Sequence, residues 1–348
     1  MDFNGKTAAQ IRAGAFNFIY LSPEVFLNSP LFRDVFYNNE FQDRLALIVI
    51  DEAHMVYSWG LVDSGTAKNS SAHKQTQDRS FFRPLPVAIE GILKSVFITE
   101  DNIIFVRGEL PRPKIRILRV VMKCSLKSNH DLLWVIEKVE TVDKDIAPTL
   151  IYAGTRNATL QVMKVVNRSW KTPTAERNPC SSMMHQYHSN TGGYAKVDSI
   201  NQFTNKKYPY VACTMALGLG QNWKQVRKVF HMGRTDPSNI CQMMGRCGRD
   251  GRPGLAVLFM EKKQRNGKNK IDDFEGIKEQ TDDVCMDALA MTPVCLRIAF
   301  SLDNLVGHIP MSTDDIRYIR EQQRKIDEGF PKCQCSNCLP EEAIQLYD

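Results

Sequence analysis

The sequence predicts an α/β protein made of parallel-sheet lobes, with a metal-binding segment near its C-terminus. Three observations carry this. Leu45 to Ile50 is an unbroken apolar run that ends in Asp51-Glu52-Ala53-His54. From about His130 to Phe259, helix-period and strand-like segments alternate. Cys333, Cys335 and Cys338 then gather three thiols in a short stretch. A continuous Val/Ile/Leu run reads as a parallel strand covered on both faces, and ligands of such sheets sit beyond the carboxyl ends of the strands. Asp51 and Glu52 are therefore expected at a crevice. In phosphoryl-transfer chemistry one acid of such a pair holds Mg²⁺ and the next orients the attacking water.

The 348 residues leave room for two or more domains, and 43% hydrophobic with 24% charged residues is an ordinary globular composition. A net charge of +6 permits a polyanionic partner without requiring one. No apolar stretch reaches the ~20 residues of a membrane-spanning helix, and the N-terminus has no charged-then-apolar leader pattern, so an intracellular soluble protein is expected. In that setting ten cysteines are thiols or metal ligands rather than disulfides.

In chain order, Asn4-Gly5-Lys6-Thr7 imitates the tail of a phosphate-binding loop but lacks the first glycine and a preceding strand. Phe16 to Leu21 reads as a strand, and Ser22-Pro23-Glu24 opens a helix with a cap followed by proline at its first position. A polar stretch from Asp63 to Ser80 lies between Trp59 and Phe81-Phe82-Arg83-Pro84, like a long loop with aromatic ends. A short helix is expected over 88–94. Strands are expected over 103–106 and 115–121, with Pro111 and Pro113 marking a linker between them. A helix from His130 to Val142, a strand over 149–152, a helix from Arg156 to Trp170, and strands over 210–213, 226–230 and 255–259 complete a second parallel sheet.

Two further stretches point to chemistry. Gln242 to Gly254 holds Arg246 and Arg249, expected on one helical face among glycines that allow close backbone approach. Paired guanidinium groups clamp phosphate oxygens and supply transition-state charge. Cys333, Cys335 and Cys338 offer three ligands for tetrahedral zinc; Cys295 is the best fourth candidate, with His308 and Cys285 as alternatives.

Together these pieces resemble the RecQ family of DEAH-box DNA helicases, in wording closest to the fungal members, from about Ile11 to Cys338. Asp51 to His54 resembles motif II, Gln242 to Gly251 motif VI, Ser22-Pro23-Glu24 motif Ib, Leu150 to Thr155 motif IV and Val211 to Gly220 motif V. Tyr187-His188 sits where the family carries a similar pair. The resemblance implies two RecA-like lobes, the first incomplete, followed by a small helical zinc-binding subdomain. It implies an ATP-driven 3′-to-5′ helicase, using ATP, Mg²⁺ and Zn²⁺ on single-stranded and partly duplex DNA, nuclear, in repair and recombination. Asp51, Glu52, His54, Gln242, Arg246 and Arg249 would be catalytic, with His54 bridging toward Gln242. Ser22, Trp59, Phe82, Arg83 and Thr214 would meet DNA. Cys295, Cys333, Cys335 and Cys338 would hold zinc.

The departures from the pattern are equally specific. The Walker A lysine and the adenine-reading glutamine are missing, and so is motif III, since only Leu85 to Val87 separate Pro84 from the helix at Ala88. Asn222 stands where motif V usually has Asp. The expectation is an N-terminally truncated helicase, or a remnant that binds without turning over ATP. Its domains would be 1–122, a partial first lobe; 123–264, the second lobe; and 265–348, the zinc subdomain and tail. The part before Lys123 would fold poorly alone.

Overall fold

The computed structural model describes residues 3–22, 25–26, 29–49, 104, 109–136, 146–217 and 222–346. The chain divides into two units, with the described residues up to 49 in the first and those from 104 onward in the second.

The first unit shows three helices, α1 (Gly5–Arg12), α2 (Pro30–Phe36) and α3 (Asn39–Arg44). Each has a polar cap: the side chains of Asn4, Ser29 and Asn38 accept the N–H of Thr7, Phe32 and Phe41. The helices close on a small core of Ala8, Ile11, Val35 and Phe41. The strands expected at 16–21 and 45–50 are not formed over their described residues. Phe18 is 79% exposed and Leu47 75%. The physical reason is partnership: a buried parallel strand needs a hydrogen-bonded neighbour and cover on both faces, and no described segment of this unit supplies either. Ile50 lies outside the described residues, as do the segments expected as helix at 88–94 and, apart from Ile104, as strand at 103–106.

The second unit is built on one parallel sheet of six strands, β1 (Ile115–Val121), β2 (Thr149–Tyr152), β3 (Met184–Tyr187), β4 (Tyr210–Cys213), β5 (Lys228–Met232) and β6 (Gly254–Met260), in the order β1-β6-β5-β2-β4-β3. Alternation along each strand sends side chains to two cores. Leu150, Tyr152, Val229 and Leu258 face one side with Ile240 and Met243. Ile151, Phe230, Val257 and Phe259 face the other with Val162 and Val166. Both faces are thus covered, as parallel sheets require.

Helices α4 (Arg156–Ser169), α5 (Gly193–Thr204) and α6 (Pro237–Met244) follow β2, β3 and β5. Thr155 caps α4 through the Ala158 N–H, and Asp236 caps α6 through the Asn239 N–H with Pro237 at the first position. Helices α7 (Asp282–Met291), α8 (Leu296–Val306), α9 (Ile316–Asp327) and α10 (Pro340–Ile344) make up the C-terminal part.

Three sequence expectations differ from this unit. Residues 130–134 form a 3₁₀ turn where a longer helix was expected, and residues 137–145 lie outside the described residues. Strand β3 and helix α5 went unread, because Met184–Tyr187 is short and α5 buries only Phe203. Strand β1, expected within the first lobe at 1–122, pairs along its whole length with β6 and is part of the second unit.

Candidate functional site

Arg246 and Arg249 do not share a helical face. Helix α6 ends at Met244, and Gly245 to Gly251 form a turn at the amino ends of the strands. The turn is tied there by the Gly248 N–H on the Val226 carbonyl and the Gly254 N–H on the Lys114 carbonyl. Two glycines sit where a side chain has no room. Gly248 has φ +64°, and a Cβ there would lie 2.8 Å from the Arg252 carbonyl oxygen. A Cβ on Gly254 would lie 2.8 Å from the Cys247 Sγ. The glycine density therefore reports a tight turn, which in turn aims the arginines.

Two arginines absent from the sequence reading organise the turn. Arg112 donates to the carbonyls of Gly245 (2.8 Å) and Cys247 (3.1 Å), capping the end of α6 with a positive charge where the helix dipole favours one. Arg227 grips Asp250 with both guanidinium nitrogens. That pairing, ahead of other causes, holds the Asp250 carboxyl below the usual range. Arg246 is buried, and Arg249 is half-exposed with its Nε on the Gly245 carbonyl (3.2 Å) and a terminal nitrogen 3.4 Å from Asn222 Oδ1. The residues matching motifs V and VI thus meet in space.

Gln242 is half-exposed on α6. Thr214 stands at the other end of the sheet, just past β4. Its N–H donates to the Tyr187 carbonyl (3.1 Å), and its hydroxyl accepts the Ala216 N–H. His188, next to Tyr187, is buried, and its pKa is lowered by that burial and then by Arg156 and Lys196. Ser22 is exposed and its carbonyl accepts the Phe26 N–H, as expected for a helix opening there. Asp51, Glu52, His54, Trp59, Phe82 and Arg83 lie outside the described residues.

The cysteine cluster assembles from distant segments. The Sγ atoms of Cys295, Cys333, Cys335 and Cys338 all lie within 4.8 Å of one another. A zinc tetrahedron with ~2.3 Å Zn–S bonds has edges of about 3.8 Å, so the four thiols fit the metal. The alternatives are engaged elsewhere: Cys285 Sγ contacts Gln280 and the Gly307 carbonyl, and His308 faces Asp315. Hydrogen bonding among the crowded thiols moves their pKa values apart, raising Cys295 and Cys338 and lowering the other two. Hydrogen bonding from Cys295 holds Cys333 down to about 7 and Cys335 lower still, and the Leu296 N–H at the start of α8 also donates to Cys335.

The Cys333–Cys338 segment also covers the free edge of β1. The Ser336 N–H donates to the Ile117 carbonyl (3.0 Å), and Ser336 Oγ accepts the Arg119 N–H (3.0 Å). Arg119, which burial pulls down to about 10, joins the Leu289 and Thr292 carbonyls to Asn337. The sequence signal for this brace was the hydrogen-bonding pair Ser336-Asn337 between two ligands.

Residues 121–251 match the helicase conserved C-terminal domain family. The ATP-dependent helicase wrn-1 of Caenorhabditis elegans is 27% identical over 261 residues, which is 72% of this chain and 23% of that protein. The probable ATP-dependent DNA helicase RecS of Bacillus subtilis is 28% identical over 252 residues, 70% of this chain and 46% of that protein. The chain spans less than half the length of these relatives. A solved structure of S. cerevisiae Dbp5 bound to RNA and ADP BeF3 aligns with a TM-score of 0.41 at 15% identity, over 68% of this chain and 52% of that one. Residues 121–251 thus match a helicase C-terminal domain, and the chain as a whole is similar to RecQ-like helicases.

Proposed function

We propose that this chain serves an ATP-dependent 3′-to-5′ DNA helicase, nuclear and engaged in repair and recombination, that moves along single-stranded DNA and opens adjoining duplex. The observation that carries the reading is the meeting of Arg249 with Asn222 in the turn that follows α6. At position 222 an amide hydrogen-bonds the guanidinium without adding a charge of its own, whereas a carboxylate there would add a negative one. Arg246 and Arg249 would contact the transferring phosphoryl group, and Gln242 would lie beside them. Asp51 and Glu52 would take Mg²⁺ and the attacking water, with His54 joining motif II to motif VI. Thr214 and Ser22 would touch the DNA backbone, and Trp59, Phe82 and Arg83 would sense unpaired bases. Zn²⁺ on the four cysteines would brace β1.

A second reading, a helicase remnant that binds DNA without turning over ATP, is favoured by the exposure of residues 46–49, which form no strand. ATP hydrolysis by the purified chain, with and without single-stranded DNA, decides between the two, using Glu52→Gln and Arg249→Ala beside the parent. The helicase reading expects DNA-stimulated turnover that falls by about 10³-fold or more in Arg249→Ala. The absence of turnover in the parent, with DNA binding that weakens as salt rises, selects the remnant.

A further inference from the structure

Immediately past β6, residues 262–270 read Lys-Lys-Gln-Arg-Asn-Gly-Lys-Asn-Lys, five cations with no acid among them. A run of charge of this kind is ordinarily a loose, solvated loop. Here it is built. Asn269 accepts the Gln264 N–H (2.7 Å) and donates back to the carbonyls of Gln264 and Gly267. Asn266 takes a left-handed backbone, φ 64°. Gly267 is pressed so close that a Cβ would lie 2.9 Å from an Asp287 carboxylate oxygen. The Lys268 N–H donates to the same Asp287 (2.7 Å), which is ion-paired with buried Arg234 at 2.6 Å.

The acids nearest in sequence are engaged with the backbone: the Glu261 carboxylate accepts the Arg234 N–H (3.0 Å). The exposed Asp273 carboxylate accepts the backbone N–H groups of Asn269 and Lys270, and these bonds, with Lys268 and Lys270 close by, hold its pKa down. Asp272 and Glu275 are exposed beyond it. Lys268 spends its ammonium on the Asp273 carbonyl. The other cations, Lys262, Lys263, Arg265 and Lys270, are exposed, and no ion pair engages them among the described residues.

We propose that the 262–270 loop is a contact for duplex DNA, gripping phosphates through Lys262, Lys263, Arg265 and Lys270. Resting on the nucleic-acid reading above, it names which form of DNA this face takes. Three features support that choice. The loop has no aromatic residue, so it offers phosphate contacts without the stacking platforms that single-strand sites use. Its rigidity spares the ordering entropy that a loose basic loop would lose on binding. It leaves the carboxyl end of the sheet at β6, the same end as Thr214 after β4. Three strand spacings separate them, about 14 Å at ~4.8 Å per strand. A duplex held by the loop would therefore adjoin a strand passing Thr214.

The test is binding of the full chain to a labelled blunt duplex and to a labelled single strand, by fluorescence anisotropy over a range of salt. The parent is compared with a variant carrying Lys262→Gln, Lys263→Gln, Arg265→Gln and Lys270→Gln. The expected result is a duplex salt slope shallower by about three to four in the variant, near ~0.9 for each lost phosphate contact, and duplex affinity roughly tenfold or more weaker at ~0.1 M salt. Single-strand affinity changes by less than about threefold. Exchanging the three lysines for arginine retains duplex binding, and an unchanged melting temperature shows that the quadruple variant folds. Equal slopes and affinities for duplex in parent and variant overturn the proposal while leaving the nucleic-acid reading in place. A parent that binds neither DNA form overturns both.

Discussion

His231 shows how a single buried residue sets a response to pH. It lies in β5 and is 5% exposed, and burial pulls its pKa down to about 4 against the partial opposition of a hydrogen bond that the imidazole makes to the Gly233 backbone. The unfolded chain binds this proton near 6.5 and the folded chain only near 4. Stability is therefore complete above about 6.5 and is lost as pH falls from there toward 4. The shift corresponds to something on the order of 3 kcal/mol. Thermal melting at pH 7 and pH 4.5 should show His231→Leu losing less stability across that window than the parent. Equal losses would mean that His231 carries no part of the acid response. Arg249 belongs to the same scale. It is half-exposed, with contacts to Gly245 and Asn222 among others, and its removal is expected to affect turnover far more than folding.

Among the elements, the cysteine segment joins parts of the chain that are far apart in sequence. Its ligands come from the start of α8 and from the stretch before α10, while Ser336 and Arg119 lock it onto β1. A metal bound there would stabilise the brace and β1 together. Elemental analysis of the chain should find one zinc per molecule, lost in Cys295→Ser and in Cys335→Ser, with a lowered melting temperature in each. Treatment of the parent with a strong chelator should reproduce that lowering. A parent that contains no zinc and melts identically with and without chelator would show that the cluster is a thiol core. Acid should release the metal, because protons compete for the thiolates.

For the whole molecule the decisive boundary lies before β1. A division at residue 123 would remove the strand that pairs with β6 and receives the Ser336 N–H, exposing an apolar sheet edge and unseating the cysteine segment. A fragment of residues 104–348 should unfold in one cooperative urea transition, whereas 123–348 should be less stable by several kcal/mol or fail to fold. Equal midpoints and slopes for the two would show that β1 contributes nothing to the unit. Residues 3–49 bury little beyond a four-residue core, which gives them a small share of the stability.

Local pattern alone was enough for much of the second unit. The apolar runs at 149–152 and 210–213, the helix opening at Arg156 and the run ending at Phe259 are encoded by neighbours in sequence, so periodicity exposes them. The candidate residues at 246, 249, 295, 333, 335 and 338 were also legible, because each type is chemically distinctive. Only the tertiary structure decided how these residues are held. Arg112 and Arg227 shape the turn, Asn222 reaches Arg249, Cys295 prevails over Cys285 and His308, and β1 joins the second sheet. Each of these depends on groups brought together from distant segments, and local composition does not encode such meetings. The same limit explains the failure at 45–49: an apolar run specifies a side chain's preference for burial, but a strand exists only where another part of the fold supplies its partner.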